Sequence, residues 1–589
     1  MHHTGREKRP VLGGLFVDID TQYTRDRYEE IVEREPCPQV RLTAWRNDRA
    51  LSQLVLFTGD RPLEHVRLRA EDLNGEDGAV LDHSHVELTF LKSTLAYIGY
   101  PGYGNRNPPP PVTPDNRAES VDILYESAAD GCAMEANSLR PVWLSVSVPK
   151  ETKAGTYSGI IFAEADGLAK PLRFTCTLTV EDAVLWDGEE FKHHFDIELW
   201  QYPYSVAEYY GVEPFSPEHF EILRPHMELY KKLGGHAITA TILEDAWDGQ
   251  TFSKNPVAYP SMARWTLENG EMHYDFSALD RWVAFNRSLG LGDKVILYSV
   301  APWHESFTYW SEGKLVRQSF QGQVGGEVYT RMWRHFFAAL ADHLTEQGWF
   351  DAAYIGIDER GLTQEALDVI FSVRNRAGKR FKTATAVNDF EGHWEQALQI
   401  NDVTVSNHCV PGHEEAFLRF VEERRARGHR TTLYTCTEDK PGNFCLSAPV
   451  ESYWSVMDAG RYTTGMLRWA YDAWVEDPLR DATHSAFEPG DCFLVYPGER
   501  SVRRPRPSVR LERMAQAVRD VNKLRVMTEE YPELSCKVNK LYRALKFKAQ
   551  AVKFGQMLNG EERRQVTEDV RIFQAGLEAL TREYLALRK

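Results

Sequence analysis

Eight short apolar runs alternating with helical patterns constrain this chain more than any other feature of it. The runs fall at residues 193–200, 236–243, 294–300, 352–358, 382–388, 402–407, 431–437 and 464–471. Helical patterns lie between them near 217–233, 276–289, 327–347, 363–377, 413–427 and 451–461, with a short one near 394–400. Parallel strands cannot be joined by a tight turn and need a crossover, usually a helix. Eight strands so connected predict a (β/α)8 TIM barrel. Local chemistry agrees, since five helical patterns stop at glycine (Gly234, Gly290, Gly348, Gly378 and Gly428), as left-handed C-caps favour. Another opens with Ser216-Pro217, an N-cap followed by proline at the first helical position.

The flanks read differently. From Arg173 to Val180 apolar residues occupy every second position, the pattern of a half-buried antiparallel strand. This run follows Tyr157 to Ala163 across a turn containing Asp166-Gly167. Pro108 to Pro111 exclude a helix there. An N-terminal β-sandwich is expected over residues 1–185, ahead of a catalytic barrel at 190–505. From Ser508 the pattern is helical, with Leu511, Met514, Ala515, Val518 and Asn522 at 3.6-residue spacing and later segments near 535–557 and 560–587. This C-terminal helical region, 506–589, can pack on the barrel or on a second copy, a possible homodimer.

Charge and motifs exclude several functions. Lys and Arg number 69 against 86 Asp and Glu, and the difference, 69 − 86 = −17, repels a nucleic-acid backbone or an anionic membrane. No apolar run approaches ~18 residues and no apolar h-region follows Met1 to Arg6, so a cytoplasmic protein without a membrane partner is expected. The eight cysteines include no CxxC pair, which fits reduced thiols. His304-Glu305-Ser306-Phe307-Thr308 lacks the second histidine of a zinc-protease helix. Gly102-Tyr103-Gly104 lacks the third glycine of a dinucleotide loop. Neither a metal nor a cofactor is expected.

In such barrels the chemistry sits at the C-terminal ends of the strands. Those ends carry Trp200-Gln201-Tyr202, Glu244-Asp245, Trp303-His304-Glu305, Asp358-Glu359, Asn388-Asp389, Asn407-His408, Tyr434 through Glu438 and Trp469 through Trp474. Carboxyls, amides, histidines and aromatics suit a sugar, whose hydroxyls want polar partners and whose ring wants a flat wall. The adjacent acids Asp358 and Glu359 stand out, because like charges repel and an apolar strand end desolvates them. Paired carboxyls of this kind split glycosidic bonds. Strand neighbours point to opposite faces, so both acids reach one pocket only if the strand ends there. Alternatively, one of them caps the helix starting near Thr363, or pairs with Arg360.

The run Tyr354-Ile355-Gly356-Ile357-Asp358-Glu359 resembles the catalytic strand of glycoside hydrolase family 123, the β-N-acetylgalactosaminidases. The family pattern is also resembled by Tyr434-Thr435-Cys436, Gly465 through Tyr471, Leu494 through Gly498 and Ser508 through Glu512. Pro141-Val142-Trp143 through Gly159 is similar to the family's N-terminal sandwich, and the similarity spans most of residues 130–525. The resemblance implies a retaining, substrate-assisted hydrolysis of terminal β-linked N-acetylhexosamine in an oligosaccharide or glycoconjugate, through an oxazolinium intermediate. It makes Glu359 the general acid and Asp358 the partner of the acetamido N–H. It makes Tyr434 a donor to the acetamido oxygen and Trp469 and Trp474 walls for the sugar, with Asn388 and Asp491 on its hydroxyls. Trp200, His408 and Asp472 complete the candidate contacts; Asp472 departs from the asparagine expected after the Trp-Ala-Tyr run. Two other readings stay open at this point. One is double displacement with Glu438 as nucleophile, and the other is a non-catalytic carbohydrate-binding barrel.

Overall fold

The computed structural model describes residues 10–97, 112–251, 259–360, 362–437, 439–552 and 556–589. The expected features at Gly102 to Gly104, at Pro108 to Pro111 and at Glu438 lie outside the described residues.

The N-terminal region is built of two sheets, of five and seven strands. The expected hairpin pairs Gly155–Glu164 with Leu172–Val184, antiparallel, with Tyr157 opposite Leu178. Alternation along the second strand buries Phe174, Cys176, Leu178 and Val180 in a core shared with Leu54, Leu56, Val142 and Leu144 of the other sheet. The period-two pattern therefore marks the face that a second sheet covers.

The eight expected barrel strands form one parallel sheet: Asp196–Leu199, Ala237–Thr241, Lys294–Tyr298, Ala353–Ile357, Lys382–Val387, Asp402–Ser406, Arg430–Tyr434 and Gly465–Arg468. In space the first strand pairs with the eighth, and the ladder then runs back to the second. The first and second strands share no ladder pairing, and the side chain of Gln201 spans their seam. Its Nε2 donates to the Ala237 carbonyl at 3.3 Å, and its Oε1 accepts from Thr239 N at 3.0 Å. A side-chain amide here satisfies backbone groups that would otherwise be orphaned. The base of the barrel holds an ion network in which Lys294 Nζ lies 2.6 Å from Glu198 and 2.5 Å from Asp402.

Helices occupy the crossovers: Pro217–Lys232, Ser277–Ser288, Glu327–Glu346, Gln364–Ser372, Glu414–Ala426 and Pro449–Tyr462. Ser216 caps the first of them by accepting from His219 N at 3.2 Å. The pattern near 363–377 overreaches. That helix ends at Ser372, and Gly378 serves a turn in which Asn375 Oδ1 accepts from Ala377 N and Lys379 N, each at 3.0 Å. Asparagine competes for backbone groups in this way and favours turns over helix interiors. Among the described residues, the tail segment near 535–557 is likewise helical only over Ser535–Tyr542, whereas Gly560–Leu587 is one long helix. Val509–Glu530 is buried on nearly every side against barrel and sandwich, and Arg510 pairs with Asp122 of the sandwich at 2.9 Å.

A four-stranded sheet, absent from the sequence expectation, is inserted after the second and third barrel strands. It comprises Arg264–Glu268, Glu271–Asp275, Ser306–Ser311 and Lys314–Ser319. Its turns, Asn269-Gly270 and Glu312-Gly313, have positive φ at both central residues, the geometry of tight hairpins.

Candidate active site

The fourth barrel strand stops at Ile357, so Asp358 and Glu359 follow it outside the ladder and line one cavity together. Gly356, just before them, leaves room for a neighbouring ring: a Cβ there would meet Tyr298 Cδ1 at 2.8 Å. Neither acid takes the competing roles. The helix that follows is capped by the Thr363 side chain, which accepts from Ala366 N at 3.2 Å, and Arg360 pairs with Glu305.

The cavity, of about 270 Å³, opens at the C-terminal ends of the strands. Of the expected contacts, Trp200, Asn388, His408, Tyr434 and Trp469 line it beside the acid pair. Trp200 is 1% exposed and holds its indole against Glu198, at 3.3 Å. Trp469 stands half-buried, with its Nε1 donating to Asp491 Oδ2 at 2.9 Å and Phe487 packed edge-on at 5.2 Å.

Three expected contacts are not among the lining residues. Asp491 is buried and ion-paired to Arg468 at 2.5 Å, so it acts on the cavity by fixing Trp469. Trp474 is 1% exposed, packs on Tyr209, Tyr210 and His226, and gives its Nε1 to the Val495 carbonyl at 2.7 Å. It is core, placed there because the chain turns inward after the eighth strand. Asp472 is fully buried and accepts from Tyr202 N at 2.7 Å, and burial pushes its carboxyl up to about 7.

Trp303, Gln250, Cys436, Thr437 and Phe487 line the cavity without having been singled out as contacts. Trp303 had a signal, its position at the end of the third strand. Phe487 had none, because it lies in a long segment beyond the eighth strand.

Electrostatics separate the two acids. Burial raises Asp358, while hydrogen bonds from Trp303 Nε1 (2.8 Å) and Trp247 favour its ionised form. Burial also raises Glu359, and the charge of Asp358 adds to this, bringing it to about 7. Tyr434 donates its hydroxyl to Glu359 Oε1, and the Cys436 thiol lies 3.6 Å from the same oxygen. The Tyr434 hydroxyl, expected on a sugar acetamido group, is thus engaged by the acid itself.

A second network stands behind this one. Asp439 is fully buried and accepts from Cys436 N, from Ser406 Oγ at 3.2 Å and from His408 Nδ1 at 2.5 Å. Burial alone would lower the His408 imidazole, but the hydrogen bonds and charges of Asp439 and Cys409 together outweigh it and bring it to about 10. His408 therefore presents a cation to the cavity at neutral pH. The backbone of Asp439–Lys440 pairs with Gln550–Ala551, so the C-terminal region anchors this loop.

Among the described residues one trio, Asp72, Asp82 and His83, brings metal-type donor atoms within 4.8 Å of one another. It lies on the sandwich, where Asp72 and His83 already bond each other at 2.8 Å.

The family description "Glycoside hydrolase 123, catalytic domain" matches residues 200–527, and "Glycoside hydrolase 123 N-terminal domain" matches 16–164. A solved family 123 glycoside hydrolase from Clostridium perfringens, studied for glycolipid glycan hydrolysis, is similar at TM-score 0.88 and 28% identity, covering 98% of this chain and 100% of that one. A β-glucuronidase from Parabacteroides merdae aligns at TM-score 0.26 and 9% identity, over 77% and 50% of the two chains. A family 20 exo-β-N-acetylglucosaminidase from Vibrio harveyi aligns at 0.21 and 10%, over 67% and 81%. Both are too loosely alike to carry an argument. No curated protein matches the sequence.

Proposed function

The chain belongs to glycoside hydrolase family 123, and from that premise we propose that it removes terminal β-linked N-acetylhexosamine, N-acetylgalactosamine first, using the substrate's own acetamido group as nucleophile. One observation carries the reading: two adjacent acids face one cavity, where burial raises both, hydrogen bonds from Trp303 and Trp247 offset this at Asp358, and the neighbouring charge adds to it at Glu359.

The acetamido carbonyl oxygen attacks the anomeric carbon as Glu359 gives its proton to the departing glycosidic oxygen. Asp358 accepts the acetamido N–H and stabilises the charge of the oxazolinium. Glu359, now a carboxylate, then takes a proton from water as that water opens the ring at the anomeric carbon, restoring the acetamido group and the β configuration. A general acid works best with a pKa near the working pH, and about 7 meets that requirement. Trp469, fixed by Asp491, offers a wall for the sugar ring, and His408 and Asn388 offer polar groups for its hydroxyls. The glycan of a glycolipid is the natural first substrate to try, because the C. perfringens relative was studied on one.

Chromogenic β-N-acetylgalactosaminide, β-N-acetylglucosaminide and β-galactoside test the reading, with an N-acetylhexosamine thiazoline as inhibitor. The acetamido sugars are expected to be cleaved and the thiazoline to compete. Turnover of the galactoside at a comparable rate, or no thiazoline binding, overturns it.

A further inference from the structure

The inserted sheet borders a second cavity on the same face of the barrel, of about 400 Å³, lined by Tyr204, Glu244, Arg264, Asp275, Arg281 and Trp310 among others. We propose that this groove is a subsite for the sugars beyond the terminal residue, a proposal that rests on the glycosidase reading above for what occupies the first cavity.

Position comes first. Glu244 follows the second barrel strand, and Gln250, a few residues on in the same loop, lines the catalytic cavity. The Glu244 carbonyl accepts from His304 Nε2 at 3.0 Å, next to the Trp303 that holds Asp358. The loop after the second strand thus contributes residues to both cavities. A glycan with its terminal sugar on the acid pair has this groove as its neighbour.

Chemistry comes second. Trp310 is half-buried on the inserted sheet and is held from two sides. The Arg264 guanidinium stacks over its ring, 4.8 Å from the centroid, and its Nε1 faces Glu244 Oε1 at 3.5 Å. An indole held this way is a preorganised flat surface, which costs little further ordering when a ring lies against it. Glu244 is 8% exposed and accepts from Ser261 N at 3.0 Å, leaving carboxylate lone pairs for a hydroxyl. Arg264 and Arg281 are exposed and form no ion pair among the described residues, so their N–H groups are open to a ligand. An aromatic side chain with carboxylate acceptors and guanidinium donors in the same groove matches a polyhydroxylated ring. Acids and guanidiniums occur together here, so the groove suits a neutral glycan better than a strongly anionic one. An inserted sheet with no part in closing the barrel gains a purpose: it lengthens the glycan site.

The probes are a trisaccharide capped by β-linked N-acetylgalactosamine, the disaccharide left when the cap is removed, and an aryl N-acetylgalactosaminide. Binding of the disaccharide is measured by calorimetry or saturation-transfer NMR in wild type, Trp310→Ala, Trp310→Phe and Arg281→Ala. The disaccharide is expected to bind at least ten-fold more weakly to Trp310→Ala, and within three-fold of wild type for Trp310→Phe. Arg281→Ala, a surface change that keeps the fold, is expected to weaken it about three-fold. In kinetics, the ratio of kcat/KM for the trisaccharide over that for the aryl glycoside is expected to fall at least ten-fold in Trp310→Ala. Failure of the disaccharide to bind, equal binding by all four proteins, or an unchanged ratio overturns the subsite. If neither glycoside is cleaved while disaccharide binding still depends on Trp310, the subsite stands and the acetamido reading falls.

Discussion

Replacing Asp358 by Asn isolates the charge that divides the acid pair. Asparagine keeps an oxygen to accept from Trp303 Nε1, a bond of 2.8 Å in the wild type, so the geometry is retained and the charge is lost. Glu359 sits at about 7 rather than the ordinary 4.5, a displacement of 7 − 4.5 = 2.5. At ~1.36 kcal/mol per pH unit that is on the order of 3 kcal/mol in favour of its proton. Burial is the larger cause and the Asp358 charge the second, so the charge supplies part of the displacement, on the order of one pH unit. The alkaline limb of kcat/KM reports loss of the Glu359 proton in the free enzyme, and it should therefore move toward acid by up to about one unit in Asp358→Asn. The rate at the optimum should fall by about 10²–10³, the usual cost of removing one group that stabilises developing charge. The assay is a pH–rate profile with an aryl β-N-acetylgalactosaminide, with the corresponding galactoside as control. An unchanged rate would refute the role of Asp358 toward the acetamido group. A lowered rate with an unmoved alkaline limb would refute its electrostatic hold on Glu359.

Three further outcomes are expected. Glu359→Gln should lose about 10²–10⁴ in kcat on an oligosaccharide, the usual worth of a general acid, and far less on a dinitrophenyl glycoside, whose leaving group needs no proton; equal losses would remove Glu359 from that role. Asp472 is raised to about 7 by burial against an ordinary 3.8, so the folded state binds its proton more tightly than the unfolded chain and loses stability as pH rises from about 4 to about 7. Asp472→Asn should accordingly be more stable than wild type at pH 8, by no more than about 4 kcal/mol, read as a higher melting temperature, with the gap closing below pH 4; a gap independent of pH contradicts this. Lys294→Met strands Glu198 and Asp402, which it now bonds at 2.6 and 2.5 Å, and should destabilise by about 3–5 kcal/mol, read as a lower thermal midpoint that Glu198→Gln partly restores. An unchanged midpoint would show that the base network does not hold the barrel together.

Much of the site was legible because a parallel barrel turns strand ends into a ring. Once eight strands were counted, Asp358, Glu359, Asn388, His408, Tyr434 and Trp469 had to share one face. Beyond the eighth strand that logic ran out. Trp474 and Asp472 follow it closely in sequence, yet the chain there turns back into the core, where the Val495 carbonyl and Tyr202 N await them. Asp491 was singled out for a hydroxyl and instead steers Trp469. The inserted sheet went unread although Asn269-Gly270 marks a hairpin turn, because its strands are short and half-exposed and their alternation is weak.

The sequence by itself determined the strand–helix alternation, the Ser216 cap, the sandwich hairpin and the place of the acid pair, because each depends on residues near one another along the chain. Tertiary structure decided the surroundings of each acid. The proton on Glu359 is favoured by burial and by the Asp358 charge, and opposed by hydrogen bonds from Tyr434 at the end of the seventh strand and from Cys436 just beyond it. The cation on His408 depends on Asp439, 31 residues away. The second groove needs Tyr204, Glu244, Arg281 and Trp310 brought together from four segments. Desolvation and charge act through distance in space, and spacing along a chain carries no measure of that distance until the barrel has closed.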